Sequence, residues 1–166
     1  LLPTLPRDEY PPLPVLPDAV GTIDAGQFAA AVGQVAVAAA SPDDRNHAYA
    51  GIRMEIEPDG NLTLAATDRY RLAVRDLPWQ PAGTDQGIAV TIPGRELVEA
   101  AKAFADAGQV SIHLGESDTS LSLTADTRQS GLRLMDATSF PKFRSLLPTQ
   151  FVSQPEIDVA SLREAL

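Results

Sequence analysis

The chain contains a partial copy of itself. "TIDAGQFAAAV" begins at Thr22 and "TIPGRELVEAA" at Thr91, and Ile23, Phe28 and Ala31 of the first match Ile92, Leu97 and Ala100 of the second. The downstream segments agree as well. After the first copy come "GIRMEIE", "NLTLAAT" and "RYRLAVRDL"; after the second come "QVSIHL", "SLSLTAD" and "SGLRLMD". Each segment alternates or runs apolar over strand length, and each is bounded by turn residues. Each half therefore reads β-α-β-β-β. One such half leaves a sheet face and a helix stripe uncovered, and two halves can bury them against each other. The expected fold is α+β, with two helices on one side and antiparallel sheets on the other.

Local signals place the elements. Asp24 is the expected N-cap of the first helix, whose Phe28, Ala31, Val32 and Val35 recur at helical spacing. Pro93 falls near the first turn of the second helix and Gly108 beyond its end. Pro58-Asp59-Gly60 marks the turn between the first two strands that follow the first helix. The third strand is expected to begin at Arg69, with Tyr70, Leu72 and Val74 on one face and Arg71, Ala73 and Arg75 on the other. A third copy of the repeat, "EIDVASLREAL", puts Ile157, Leu162 and Ala165 at the same spacing and stops inside its helix. An incomplete unit implies a longer parent protein, as does a first residue that is Leu rather than Met. The proline-dense "LLPTLPRDEYPPLPVLP", Leu1 to Pro17, reads as an extended linker.

Composition narrows the chemistry. No cysteine is present, which excludes disulfides and thiolate metal sites and fits a cytoplasmic protein. Neither a membrane-length apolar run nor a signal peptide is evident. The net charge of −9 argues against nucleic-acid binding by bulk charge, while leaving room for a local basic face. The only histidines, His47 and His113, are far apart and lack metal-ligand spacing. His113 alternates within a strand, and His47 sits in the polar loop "SPDDRNHAY". An acid–base pair of Asp68 and His47 lacks a nucleophile or substrate-positioning group beside it. No catalytic residue, metal site or cofactor is assigned.

Two segments exceed what the fold needs. "AATDRYRLAV", Ala65 to Val74, packs Asp68, Arg69, Tyr70 and Arg71 into one turn. The matching stretch of the second half, "TADTRQSGLRLM", reads as a longer and blander connection. "SFPKFRSLLPTQ", Ser139 to Gln150, holds Phe143, Leu146 and Leu147 between two prolines, which keep it from being a regular strand. It is either a connector closing the core or the wall of a groove.

Taken together, these segments resemble the β sliding clamp of bacterial DNA polymerase III, the processivity factor. "LAATDRYRLAV" is similar to the family's ATD-x-x-RLA signature, "FPKFRSLLP" to its FP-x-Y/F-R-x-x-LP segment, and "LPTLPRDEYPPLP" to the linker between its first two domains. The Ala- and Arg-rich style resembles actinobacterial members. The resemblance implies that residues 1–17 are the tail of the first clamp domain and its linker. Residues 18–149 are then the second domain and 150–166 the start of the third. It implies a non-catalytic protein, without cofactor, whose full-length homodimer encircles duplex DNA; this piece is expected to be monomeric. Arg45, Asn46, His47, Arg95 and Lys102 are the expected weak phosphate contacts.

The resemblance further implies a groove that takes short peptides of the polymerase catalytic subunit, the clamp loader and other clamp-binding proteins. Its residues are Tyr49, Thr67, Arg69, Tyr70, Arg71, Leu72, Pro141, Ser145 and Leu146, with Leu72, Pro141 and Leu146 as the apolar floor. Asp68 is expected to fix the turn rather than touch the peptide. Many relatives carry Gly or Ser at Arg69 and a basic residue at Ser145, so Arg69 is expected to select peptides at the groove mouth. The alternative is a peptide-binding scaffold with the same groove and no role in replication.

Overall fold

The computed structural model describes residues 6, 16–57, 60–82, 87–115, 119–136, 138, 140–148 and 150–165. Most of the Leu1–Pro17 linker, and Pro58-Asp59 of the expected turn, lie outside the described residues.

The first half comprises β1 (Ala19–Asp24), α1 (Ala25–Ala36), β2 (Gly51–Ile56), β3 (Asn61–Thr67) and β4 (Leu72–Pro78). A short strand, β5 (Gln80–Pro81), comes next. The second half comprises β6 (Ile88–Pro93), α2 (Gly94–Phe104), β7 (Gln109–Leu114), β8 (Ser120–Ala125) and β9 (Arg128–Arg133). A further helix, α3 (Val159–Ala165), closes the described chain. The α+β class and both β-α-β-β-β halves are as the sequence predicts.

The pairing is less direct. The two sheets run β5-β1-β7-β8-β9 and β4-β3-β2-β6. Each half thus lends its first strand to the other: Ile23 of β1 lies opposite Val110 of β7, and Ile52 of β2 opposite Ile92 of β6. All these pairs are antiparallel. Interlocked strands make two repeats into one folding unit, because neither meander completes its sheet alone. β5 covers the outer edge of β1, and the buried Trp79 next to it presses on Gly21. A Cβ at Gly21 would collide with that ring and with the Gln80 carbonyl, so glycine is required there by close approach.

The helices lie against each other on one side of the sheets. Asp24 accepts the Gln27 N–H at 2.8 Å, capping α1 as its residue type predicts. Ala25, Phe28, Ala31, Val32 and Val35 form the buried face of α1; Gly94, Leu97, Ala100, Ala101 and Phe104 form that of α2. They meet Ile52, Met54, Leu62 and Leu64 from one sheet and Ile112, Leu121 and Leu123 from the other, in one continuous core. Burying a side chain of Phe or Leu size is worth about 1.5–3 kcal/mol, so this shared core is the main force joining the halves.

Two expectations need correction. β4 begins at Leu72, not Arg69, and Tyr70 and Arg71 belong to the turn before it. The β8–β9 connection is shorter than its first-half counterpart: Ala125 pairs with Arg128, leaving Asp126 and Thr127 as the whole turn. The third repeat copy makes its helix but no strand, and Ile157 and Leu162 remain 59% and 44% exposed. Their counterparts Ile23, Phe28, Ile92 and Leu97 are buried because a paired sheet and a neighbouring helix cover them.

Candidate functional site

The turn between β3 and β4 is built on one carboxylate. Thr67 and Leu72 are the last residues paired across the hairpin, so four residues, 68–71, span the gap. Asp68 Oδ1 accepts the N–H groups of Tyr70 at 3.0 Å and Arg71 at 2.8 Å. Its Oδ2 accepts Nε and Nη2 of Arg71 at 3.0 and 2.8 Å. Asp68 therefore organises the turn, as its residue type predicts. The Arg71 backbone N–H, then the Arg71 guanidinium, hold its pKa down at about 2. The side chain of Tyr70 stands out from this frame, 91% exposed.

Arg69 occupies the strained position, with φ of +83°, in the left-handed region that favours glycine. Its N–H donates to the Thr67 hydroxyl at 3.2 Å. Its guanidinium crosses to the loop before β2, where Nη2 donates to Asp44 Oδ2 at 2.7 Å and the group lies 5.3 Å from the Tyr49 ring centre. Arg69 is thus engaged within the protein, while its side chain stays 49% exposed. Tyr49 sits in a 3-10 turn, His47–Ala50, that Asn46 caps by accepting the Ala48 N–H at 3.2 Å.

The proline-bracketed segment packs beside the same hairpin. Phe140 and Phe143 meet edge to face, with centroids 6.3 Å apart, and share a small second core with Ala65, Leu72 and Val74. A 3-10 turn, Phe143–Leu146, continues the segment. Ser145 is exposed, and its hydroxyl donates to the Lys142 carbonyl at 2.7 Å. Arg144 fastens the segment to the sheet, donating to Glu55 at 2.9 Å, Glu57 at 3.1 Å and the Thr63 hydroxyl at 3.4 Å. Pro141 and Phe143 help line a cavity of about 190 Å³ between this segment and Arg53 and Glu55. Leu146 is left 64% exposed and Leu147 42%.

The structure thus joins Leu72 to the Phe140–Phe143 segment through one small core, and Tyr49 to Thr67 and Arg69 through the guanidinium clasp. Tyr70 projects from the turn, and Arg71 folds back on Asp68 with 64% of its side chain exposed. Sequence reasoning missed Asp44 and Arg144. Arg144 had a signal: Glu55 near the end of β2 and Glu57 just past it are two apart in extended chain and fall on one side. Asp44 had none, since its partner lies 25 positions away.

The residues expected to face nucleic acid separate into two places. His47 and Arg95 line one cavity of about 220 Å³ at the start of α2, where the cap residue Pro93 offers no side-chain hydrogen bond. Arg45 is exposed at the neighbouring loop. Lys102 lies seven residues along α2, about 10 Å away, and pairs loosely with Glu99 at 3.8 Å. Among the described residues no three metal-ligating side chains gather, and no helix is long and apolar enough to cross a membrane.

Two interlocked β-α-β-β-β halves with paired helices define the class: a sliding-clamp domain. A solved DNA polymerase sliding clamp from Bacillus subtilis superposes with a TM-score of 0.74 at 28% identity, covering 88% of this chain and 37% of that one. The chain belongs to the DNA polymerase III beta subunit family, whose central domain matches residues 22–142. It is 42% identical to the beta sliding clamp homolog GriR of Streptomyces muensis, over 100% of this chain and 44% of that protein. It is 40% identical to the beta sliding clamp of Streptomyces coelicolor, over 98% of this chain and 43% of that protein. The chain therefore spans less than half the length of these relatives.

Proposed function

We propose that this chain is the central part of a bacterial replicative sliding clamp, with residues 18–149 as its second domain and 150–166 opening the third. The full-length homodimer encircles duplex DNA in the cytoplasm and tethers the polymerase without catalysing a reaction. The piece itself is monomeric. A ring holds DNA by linkage, so it needs only weak phosphate contacts and tolerates a net charge of −9. The placement of His47 and Arg95 side by side near Arg45 supports a phosphate track there. Lys102, partnered by Glu99, contributes less.

A different surface docks peptides from the polymerase catalytic subunit, the clamp loader and other clamp-binding proteins. The observation that carries this reading is the small core of Ala65, Leu72, Val74, Phe140 and Phe143. It holds the 67–72 hairpin and the 140–147 segment side by side, with Leu146 exposed on one and Tyr70 on the other. Tyr49, Thr67, Leu72, Pro141 and Leu146 form the groove, and Tyr70, Arg71 and the exposed Arg69 and Ser145 flank it. Titration with a fluorescent peptide from the clamp-contacting segment of the same organism's polymerase catalytic subunit tests this. The expected Kd is about 10–1000 μM, and Leu146→Asp abolishes binding. Equal binding by both proteins refutes the groove.

A further inference from the structure

Arg69 combines a costly backbone with an engaged side chain. A φ of +83° is where glycine is favoured, yet a long cationic residue stands there. The side chain spans two segments that share no hairpin or sheet pairing. At one end its N–H and Nε are fixed on the turn, by the Thr67 hydroxyl at 3.2 Å and the Asp68 carbonyl at 3.3 Å. At the other, Nη2 reaches Asp44 Oδ2 at 2.7 Å, and the planar group lies 5.3 Å from the centre of the Tyr49 ring. That distance is within the range for attraction between a cation and an aromatic face.

Asp44 is itself held. Its N–H donates to the Ser41 carbonyl at 2.9 Å, and its Oδ1 accepts the Asn46 N–H at 2.9 Å, which leaves Oδ2 for the arginine. Asn46 in turn caps the 3-10 turn that carries Tyr49. The order of dependence is therefore Asp68, Arg69, Asp44, Asn46, Tyr49. Among the described residues Tyr49 is otherwise held through its backbone: its carbonyl accepts the Ala40 N–H at 2.8 Å and its N–H donates to the Asn46 carbonyl at 3.1 Å. Those bonds place the chain and leave the half-buried ring to be set by what lies over it.

We propose that Arg69 is a positioning residue: through Asp44 and the Tyr49 ring it latches the 41–50 loop to the 67–71 turn, so that the Tyr49 side of the surface is set in advance. The role of Tyr49 as a groove wall rests on the proposed peptide-docking function; the latch does not.

The test uses the full 166-residue chain labelled with 3-fluorotyrosine, with no peptide present. The protein has three tyrosines, Tyr10, Tyr49 and Tyr70, so fluorine NMR gives three resonances, and Tyr49→Phe identifies one. Two variants break the latch differently. Arg69→Gly suits the positive φ and removes the cation. Asp44→Asn keeps an oxygen for the Asn46 N–H and turns an amide N–H2 toward Arg69. The latch predicts that both shift the Tyr49 resonance toward that of exposed Tyr70, and that Arg69→Gly does so without lowering the urea midpoint. It also predicts that about 1 M salt moves the wild-type Tyr49 resonance the same way, by screening, and leaves that of Arg69→Gly in place. A Tyr49 resonance unchanged in Asp44→Asn overturns the proposal, and that variant decides the matter should Arg69→Gly fail to fold. Loss of peptide binding by wild type, with these shifts intact, would refute the groove and leave the latch standing.

Discussion

The two halves solve the same connection in two ways. In the second, β8 and β9 are joined by Asp126 and Thr127 alone, with Asp126 at φ +52°. Arg128, the next residue, folds back onto α2: it donates to the Ala103 carbonyl at 2.7 Å and Asp106 at 2.8 Å, and lies 5.5 Å from the Phe104 ring centre. In the first half the equivalent hairpin takes four residues, 68–71, and leaves Tyr70 91% exposed, with Arg71 bonded to Asp68 but itself 64% exposed. The fold closes this hairpin with two residues, so the additional pair is not a demand of the fold. One turn is tied to the end of α2, and the other leaves Tyr70 exposed, as the proposed docking role requires.

This contrast can be broken, most forcefully at Phe143. The ring is 2% exposed and joins the 140–147 segment to Leu72 and Val74. Phe143→Ala should cost about 3 kcal/mol in urea unfolding and abolish peptide binding. Unchanged binding would show that the segment and the hairpin do not act as one surface.

The arginines sharpen the comparison. Arg128→Ala should lower the urea midpoint and leave peptide affinity unchanged, since its bonds all run to α2 and its own turn. Arg71→Ala should leave the midpoint nearly unchanged and weaken peptide binding roughly tenfold, about 1.4 kcal/mol. The reverse pattern would exchange the roles of the two turns.

The smallest effect is with pH. Asp68 is held at a pKa of about 2 by the Arg71 backbone N–H and guanidinium, below the usual value of 3.8. Asp106 is likewise lowered, first by its hydrogen bond from Arg128. A carboxylate whose folded pKa is depressed contributes stability above its unfolded pKa and loses it as pH falls through the folded one. Both contributions are therefore complete above about pH 4, and that of Asp68 fades toward pH 2. Carboxyl NMR titration should show Asp68 protonating near 2; a midpoint at about 4, the ordinary carboxylate value, would mean that its bonds to the turn are not formed in solution.

Much of this is legible in the sequence, because it rests on local spacing. Ile23, Phe28 and Ala31 and their counterparts mark the repeat, and Asp24 caps its helix. The exchange of β1 and β6 between halves is not legible, since two matching strand patterns do not say which neighbour each takes. The β8–β9 turn reads as longer than it is because Arg128, Gln129 and Ser130, though polar, are paired residues of a sheet's edge strand. The tie from Arg69 to Asp44 is not legible either, because an arginine in a turn carries no mark of its partner. Asp44 lies 25 positions away and Glu55 lies 89 from Arg144, and only the fold brings them together.

The central claim is that the longer turn exists for a partner. It is tested most directly by giving the first half the second half's turn, replacing Asp68–Arg71 with Asp-Thr and titrating with the polymerase peptide. The account predicts a cooperatively folded domain with no measurable peptide binding. A folded variant that binds as wild type does would contradict it.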